Sequence, residues 1–134
     1  MYLLDTNACI RILNNTSAPL ITRLRQHDPS EICLCAIMKA ELLFGAHRSA
    51  RATENLDLPR RFFVPFVSLP FDDRCAEEHA TIRTHLARAG TPIGPNDLIV
   101  AATARAHKLV LVSHNVAEFA RVSGLSVEDW EVPT

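Results

Sequence analysis

Short apolar runs alternate with longer amphipathic or apolar stretches along the whole chain. The runs predict strands at residues 2–4, 31–35, 66–69, 109–112 and 125–127. The stretches between them predict helices at residues 7–13, 17–26, 36–47, 51–58, 73–89 and 97–107. Because strands alternate with helices, the connections should be right-handed crossovers, which build a parallel sheet with helices on both faces. The pattern therefore predicts an α/β fold.

Capping residues and prolines indicate where the helices should begin and end. We expect Thr6 or Asn7 to cap the first helix, and Asp72 or Asp73 to cap the long fifth helix. Proline cannot continue a helix without the loss of a hydrogen bond, so Pro59 should end the fourth helix.

Two of the predicted helices should be buried. The helix at 36–47 is apolar almost all round, and Glu41 shares a face with Phe44. A carboxylate on a stripe that faces the core is costly unless something pairs with it. The helix at 97–107 is apolar on every side, and Asp97 stands at its N-terminus, where the helix dipole stabilises an anion.

Length and composition place the chain in a broad class. Its 134 residues favour a single domain over residues 1–134, and a hydrophobic fraction of 48% is enough to fill a core. No apolar run is long enough to cross a membrane, and the first residues lack the pattern of a secretory signal. A cytoplasmic protein is the expectation.

Cysteine usage and net charge indicate no particular partner. The cysteines have neither zinc-finger nor C-x-x-C spacing, so we expect reduced, buried thiols. A net charge of −1 does not indicate a nucleic-acid partner. Of the 14 basic residues only Lys39 and Lys108 are lysines, and arginine binds phosphate with two hydrogen bonds. A high-GC coding bias would produce the same skew.

Acidic residues fall where a parallel α/β fold should bring them together. Asp5 follows the first strand, Glu41 lies early in one helix and Asp97 begins another. Ser113 and Asn115 follow the fourth strand, and the carboxyl ends of parallel strands share one edge of the sheet. Asp5 or Asp97 alone could simply cap a helix, whereas Glu41 alone is the hardest of the three to explain structurally.

Carboxylates that are packed together repel one another unless a cation is present. Mg²⁺ or Mn²⁺ prefers oxygen ligands and keeps several waters. Such an ion makes a water easier to ionise and offsets charge that develops on phosphoryl oxygens. The pattern therefore indicates metal-dependent chemistry on a phosphate ester.

Four segments resemble, in this order, the motifs of PIN-domain ribonucleases, and they are residues 3–7 (LLDTN), 38–46 (MKAELLFGA), 94–102 (GPNDLIVAA) and 111–119 (LVSHNVAEF). The TPIG loop at 91–94 and the EDW ending at 128–130 look most like those of VapC toxins of type II toxin–antitoxin systems. The resemblance implies a PIN-like three-layer sandwich with a central parallel sheet flanked by helices. It also implies a Mg²⁺-dependent endoribonuclease, in which Mn²⁺ can substitute.

The resemblance carries catalytic and metal-binding roles to Asp5, Glu41 and Asp97. The fourth motif often has aspartate where this chain has Asn115, and an amide brings no charge. The number of bound metal ions, one or two, is therefore left open. The candidate accessory residues are Thr6, Ser113 and Asn115. Glu118 is a further acid about one helical turn later, and a surface loop position accounts for His114 more simply than a phosphate contact does.

The resemblance also implies partners. VapC toxins are held inactive by a cognate VapB-like antitoxin, whose tail lies in a groove near the acids. In this chain, apolar helices within residues 36–63 could form that groove. A homodimer is expected on the same grounds. The implied substrate is structured RNA, with initiator tRNA as one candidate.

Other classes fit the residues less well. A receiver domain needs an acidic pair after the first strand, where Asp5 stands alone. A haloacid-dehalogenase-type phosphatase needs a second aspartate where Asn7 stands. A catalytically decayed PIN-fold module that binds RNA or protein is left open by Asn115, and RNA cleavage that EDTA abolishes would distinguish it.

Overall fold

A parallel sheet of five strands forms the centre of the protein, for which a computed structural model describes residues 1–132. The strands are β1 (Tyr2–Leu4), β2 (Ile32–Cys35), β3 (Val67–Leu69), β4 (Val110–Val112) and β5 (Val127–Glu128). The helices are α1 (Thr6–Asn14), α2 (Ala18–Arg25), α3 (Ala36–His47), α4 (Ala52–Phe63), α5 (Asp73–Ala89), α6 (Pro95–Ala106) and α7 (Val116–Phe119). The strand order is β3-β2-β1-β4-β5, and every pairing is parallel.

Helices cover the sheet on both faces. Consecutive strand residues point to opposite faces, and both Leu3 and Leu4 of β1 are fully buried. All residues of β2 are buried as well. The α/β class and the three-layer arrangement that the sequence predicts are thus confirmed.

The central position of β1 determines which residues meet at the carboxyl edge of the sheet. Leu4 pairs with Val112 of β4, and the Asp5 amide donates to the Val112 carbonyl oxygen at 3.1 Å. The residues that follow these two strands, Asp5 and Ser113, therefore lie side by side.

Several helix ends differ from the predicted ones. Asp5, rather than Thr6 or Asn7, caps α1, because its carboxylate accepts a hydrogen bond from the Ala8 amide at 2.8 Å. Pro59 does not end α4, which continues to Phe63; its ring is buried, and that burial offsets the hydrogen bond that proline removes.

Two predicted boundaries shift in the last third of the chain. Helix α6 begins at Pro95, two residues before Asp97, because proline suits the first helical position and Gly94 can act as the cap. The last strand is 127–128 rather than 125–127, and the short helix α7 was not predicted. The expected cap of α5 is confirmed at Asp72.

Helix α3 has the predicted bounds, but it is not the buried helix that its composition indicates. Met38 is its fully buried residue, whereas the Phe44 side chain is 61% exposed. Glu41 is therefore half-buried at the margin of the core rather than inside it. Helix α6 is mostly buried from Leu98 onwards, in agreement with the prediction.

The four cysteines are free and buried, as the sequence predicts. No helix within residues 1–132 has both the length and the apolar character that a membrane crossing requires.

Candidate active site

Asp5 occupies the carboxyl end of the central strand and is only 5% exposed. Burial raises the pKa of the Asp5 carboxyl, while hydrogen bonds from Ser113 and the Ala8 amide and the charge of Arg11 act in the opposite direction. The side chain is therefore held in one orientation by one donor just after β4 and another on α1.

Glu41 reaches the same edge of the sheet from α3. Its carboxylate accepts a hydrogen bond from the Thr6 hydroxyl, with 3.1 Å between Oγ1 and Oε1. The contact joins the first residue of α1 to the middle of α3, and it supplies the polar partner that a half-buried carboxylate needs.

Asp97 lies in the first turn of α6 and is the most perturbed acid of this region. Burial raises the pKa of Asp97 to about 6, and the negative charges of Glu118, Asp5 and Glu41 act in the same direction. Four carboxylates from four different parts of the chain therefore share one electrostatic field. We call this set, Asp5, Glu41, Asp97 and Glu118, the acid rim.

Glu118 is the member of the acid rim whose participation the sequence left open. One of its oxygens accepts from the Gly94 amide at 3.0 Å, and the other accepts from the Asn115 side-chain amide. Its position one turn after Asn115 was visible in the sequence, but only the helix α7 turns it towards Asp97.

Ser113 and Asn115 take different places at the rim. Ser113 is buried, and its hydroxyl accepts from the Asn115 backbone amide at 3.0 Å. The Asn115 side chain is exposed and donates to Glu118, so the amide orients an acid of the rim.

His114 contacts the C-terminal segment. Its Nδ1 lies 2.9 Å from the Asp129 carboxylate, and its side chain is 57% exposed, which agrees with a surface position. Arg11 forms an ion pair with Glu131 at 3.0 Å in the same region. Sequence reasoning did not single out Arg11, because a helical arginine carries no motif signal.

A hollow of about 270 Å³ adjoins the rim and is lined by Asp5, Asn7, Arg11, His114 and Asn115. A cavity of about 380 Å³ elsewhere, between α5 and α6, has no carboxylate in its lining. Chemistry rather than size therefore identifies the site.

The acid rim fits a hard divalent cation. Its donors are carboxylate oxygens, and the pKa of Asp97 is raised by burial and then by repulsion from the neighbouring acids, which a cation would relieve. Within residues 1–132, two triads outside the rim bring their ligand atoms within 4.8 Å of one another, and no three of the rim acids do so. Such spacing suits an ion that keeps waters between its protein ligands.

Comparisons with known proteins agree with this geometry. The family model described as PIN domain matches residues 2–125. The tRNA(fMet)-specific endonuclease VapC of Salmonella typhimurium is 36% identical over 129 residues, which cover 96% of this chain and 97% of that protein. Ribonuclease VapC2 of Haemophilus influenzae is 33% identical over the same length, with the same coverage.

Solved structures give the same result. The chain superposes with a TM-score of 0.91 on the crystal structure of DNA-bound VapBC from Salmonella typhimurium, at 36% identity and with coverage of 96% of this chain and 97% of that chain. For VapBC2 of Rickettsia felis bound to a promoter DNA fragment, the TM-score is 0.89 at 30% identity, with coverage of 96% and 98%.

Proposed function

Because this chain belongs to the PIN-domain family and to its VapC ribonucleases, we propose that it is a toxin that hydrolyses RNA phosphodiesters at the acid rim. Family membership makes it an endoribonuclease. The observation that supports the location is the convergence of three other carboxylates, Asp5, Glu41 and Glu118, on Asp97, whose pKa burial and these charges raise to about 6.

We assign Asp5, Glu41 and Asp97 as the residues that hold Mg²⁺, for which Mn²⁺ can substitute. When bound, the cation supplies a water of lowered pKa and positive charge opposite the phosphoryl oxygens. Glu118 contributes the negative charge that Asn115 lacks. It also holds the loop before α6 through the Gly94 amide.

The chain's own residues keep this site in place before substrate arrives. The Ala8 amide and the Ser113 side chain fix Asp5, the Thr6 hydroxyl fixes Glu41, and Asn115 fixes Glu118. Acids that are already oriented need no rearrangement when charge develops during the reaction, which is where electrostatic catalysis gains most. Thr6, Ser113 and Asn115 therefore act as positioning residues.

Structured RNA is the substrate class that we propose, with initiator tRNA first among the candidates. The support is the name of the Salmonella relative, a tRNA(fMet)-specific endonuclease. Arg11, in the hollow beside Asp5, is a bidentate donor that could engage a phosphate of the RNA backbone.

A VapB-like antitoxin is the partner class, since VapBC complexes are among the structures to which this chain is similar. We propose that its tail covers exposed apolar side chains on α3, on α4 and immediately after α4. The exposed fractions are 61% for Phe44, 49% for Leu58 and 80% for Val64. We also propose that the toxin acts in the cytoplasm and that it forms a homodimer. Light scattering would test the homodimer.

The decisive experiment is cleavage of purified tRNA by the protein in Mg²⁺, with EDTA as the metal-free arm. We expect cleavage in Mg²⁺, none in EDTA, and none with Asp97→Asn. The matched control is Glu77→Gln, an exposed carboxylate of α5 outside the rim, which should cleave like the wild type. RNA that is bound but not cut by the wild type would instead favour a decayed binding module.

A further inference from the structure

A second cluster of metal-ligand side chains lies at the end of α6 opposite to Asp97. Asp72, Cys75 and His107 bring a carboxylate oxygen, a thiol sulfur and an imidazole nitrogen within 4.8 Å of one another. Ten residues of helix separate Asp97 from His107, which is about 15 Å along the axis. We propose that this triad is a Zn²⁺ site.

The triad is built from two helix ends. Asp72 caps α5, accepting from the Cys75 amide at 3.1 Å, and this bond fixes the carboxylate beside the thiol. His107 follows α6 and directs its Nε2 towards the Cys75 sulfur at 3.9 Å. The two helices that the site would join are already packed against each other.

The spacing is close to that of a zinc shell. Zn–S and Zn–N bonds of about 2.3 and 2.0–2.1 Å in a tetrahedral arrangement place sulfur and nitrogen about 3.5 Å apart. The observed 3.9 Å between Cys75 and His107 therefore requires only a small closure. Asp72 is exposed, so a water can complete the shell from the solvent side.

The donor set separates this site from the acid rim. Thiolate and imidazole favour Zn²⁺ over Mg²⁺, whereas the rim offers oxygen alone. Burial raises the pKa of the Cys75 thiol, so its proton must leave when the metal binds. Arg74 adds positive charge near Asp72, but its guanidinium donates to the Ala106 carbonyl oxygen.

Sequence spacing gave no sign of this triad, because Cys75 and His107 are 32 positions apart. The consequence of the site is structural: a metal bound here would fasten the N-terminus of α5 to the C-terminus of α6. It acts away from the RNA-cleaving residues, so its failure would leave the proposed ribonuclease activity untouched.

The test uses the metal-stripped full-length protein. Co²⁺ is added first, because a cobalt–thiolate bond gives a near-ultraviolet charge-transfer band that oxygen ligands do not produce. Zn²⁺ affinity is then measured by competition with a chromogenic chelator, in the wild type and in Asp97→Asn, where binding at the rim is weakened. We expect the band, and a melting temperature that rises with Zn²⁺.

Variants separate ligation from folding. Cys75→Ala and His107→Gln should each abolish the Zn²⁺-dependent rise in melting temperature and lower the affinity for Zn²⁺ by at least about tenfold. Asp72→Ser keeps a capping hydroxyl but removes the carboxylate, so this variant should fold and still bind Zn²⁺ more weakly than the wild type. Cys33→Ala, another buried thiol, is the control that keeps the band. Absence of the band in the wild type, or its persistence in Cys75→Ala, would overturn the proposal.

Discussion

Thr6 and Glu41 are joined by a hydrogen bond of 3.1 Å across 35 positions of the chain. The bond is the contact by which the helix after the central strand orients an acid of the neighbouring helix. A threonine that sequence reasoning considered as a cap is therefore a side chain that positions the acid rim.

Removal of this hydroxyl should weaken metal binding more than it weakens the fold. We expect Thr6→Val to lower RNA cleavage about tenfold at limiting Mg²⁺, because a hydrogen bond to a charged group is lost. Thr6→Ser keeps the hydroxyl and should restore most of the activity. Cleavage rates across a Mg²⁺ titration measure the effect. Equal rates for Thr6→Val and the wild type would contradict the prediction.

Asp5 has two roles that substitutions can separate. Asparagine still accepts a hydrogen bond from the Ala8 amide, whereas alanine cannot. We expect both Asp5→Asn and Asp5→Ala to abolish cleavage and growth inhibition, but only Asp5→Ala to lose about 1 kcal/mol of stability through the missing cap. Denaturant unfolding in EDTA compares the two. A large loss of stability in Asp5→Asn would show that the charge itself supports the fold.

Stability without metal should depend on pH through Asp97. Its folded-state pKa is raised from 3.8 to about 6, so the folded protein binds this proton more tightly than the unfolded chain does. The free energy of unfolding should therefore fall as pH rises from about 4 to about 6, and Asp5, whose pKa is also raised, adds to the same trend. Urea unfolding in EDTA at pH 5 and pH 7.5 measures this difference, and Asp97→Asn should reduce it.

Mg²⁺ should reverse that loss of stability. A cation at the rim offsets the repulsion among ionised acids, so added Mg²⁺ should raise the melting temperature at pH 7.5 more than at pH 5. Asp97→Asn should melt at the same or a higher temperature than the wild type in EDTA, and should respond less to Mg²⁺. An equal response in both proteins would place the bound ion elsewhere.

Glu118 should influence Asp97 directly. After burial, its charge is the largest cause of the raised Asp97 pKa, so Glu118→Gln should lower that pKa in the metal-free protein. We also expect cleavage to fall by about tenfold, because one negative charge near the cation is lost. A carboxyl titration followed by NMR gives the pKa. As the control, Glu77→Gln should leave the Asp97 titration unchanged.

The sequence predicts the parts of this fold that depend on local pattern. Apolar runs locate all five strands to within two residues, and strand ends and helix starts identify Asp5, Glu41 and Asp97 as residues that should converge. Glu118 required a different kind of information. Helix α7 has four residues, too few for a periodic signal, and its orientation depends on contacts with Gly94 and Asn115.

Errors elsewhere have the same origin in tertiary context. Pro59 stays inside α4 because its ring packs into the protein, which helix propensity does not include. Composition alone also placed Phe44 in the core, where the structure leaves it exposed. A helix face that binds another chain has the same apolar residue types as a face that packs into the interior.

The placement of β4 beside β1, at the middle of the sheet, has a consequence for synthesis of the protein. Three acids of the rim come from the first 97 residues, but Asp5 is anchored to Val112 and Ser113, and Glu118 follows them. A nascent chain that has not yet released β4 lacks the strand that completes the centre. Cells that translate this message are therefore not exposed to a working nuclease until β4 and α7 have also been made, which leaves time for an inhibitor made alongside it to be ready.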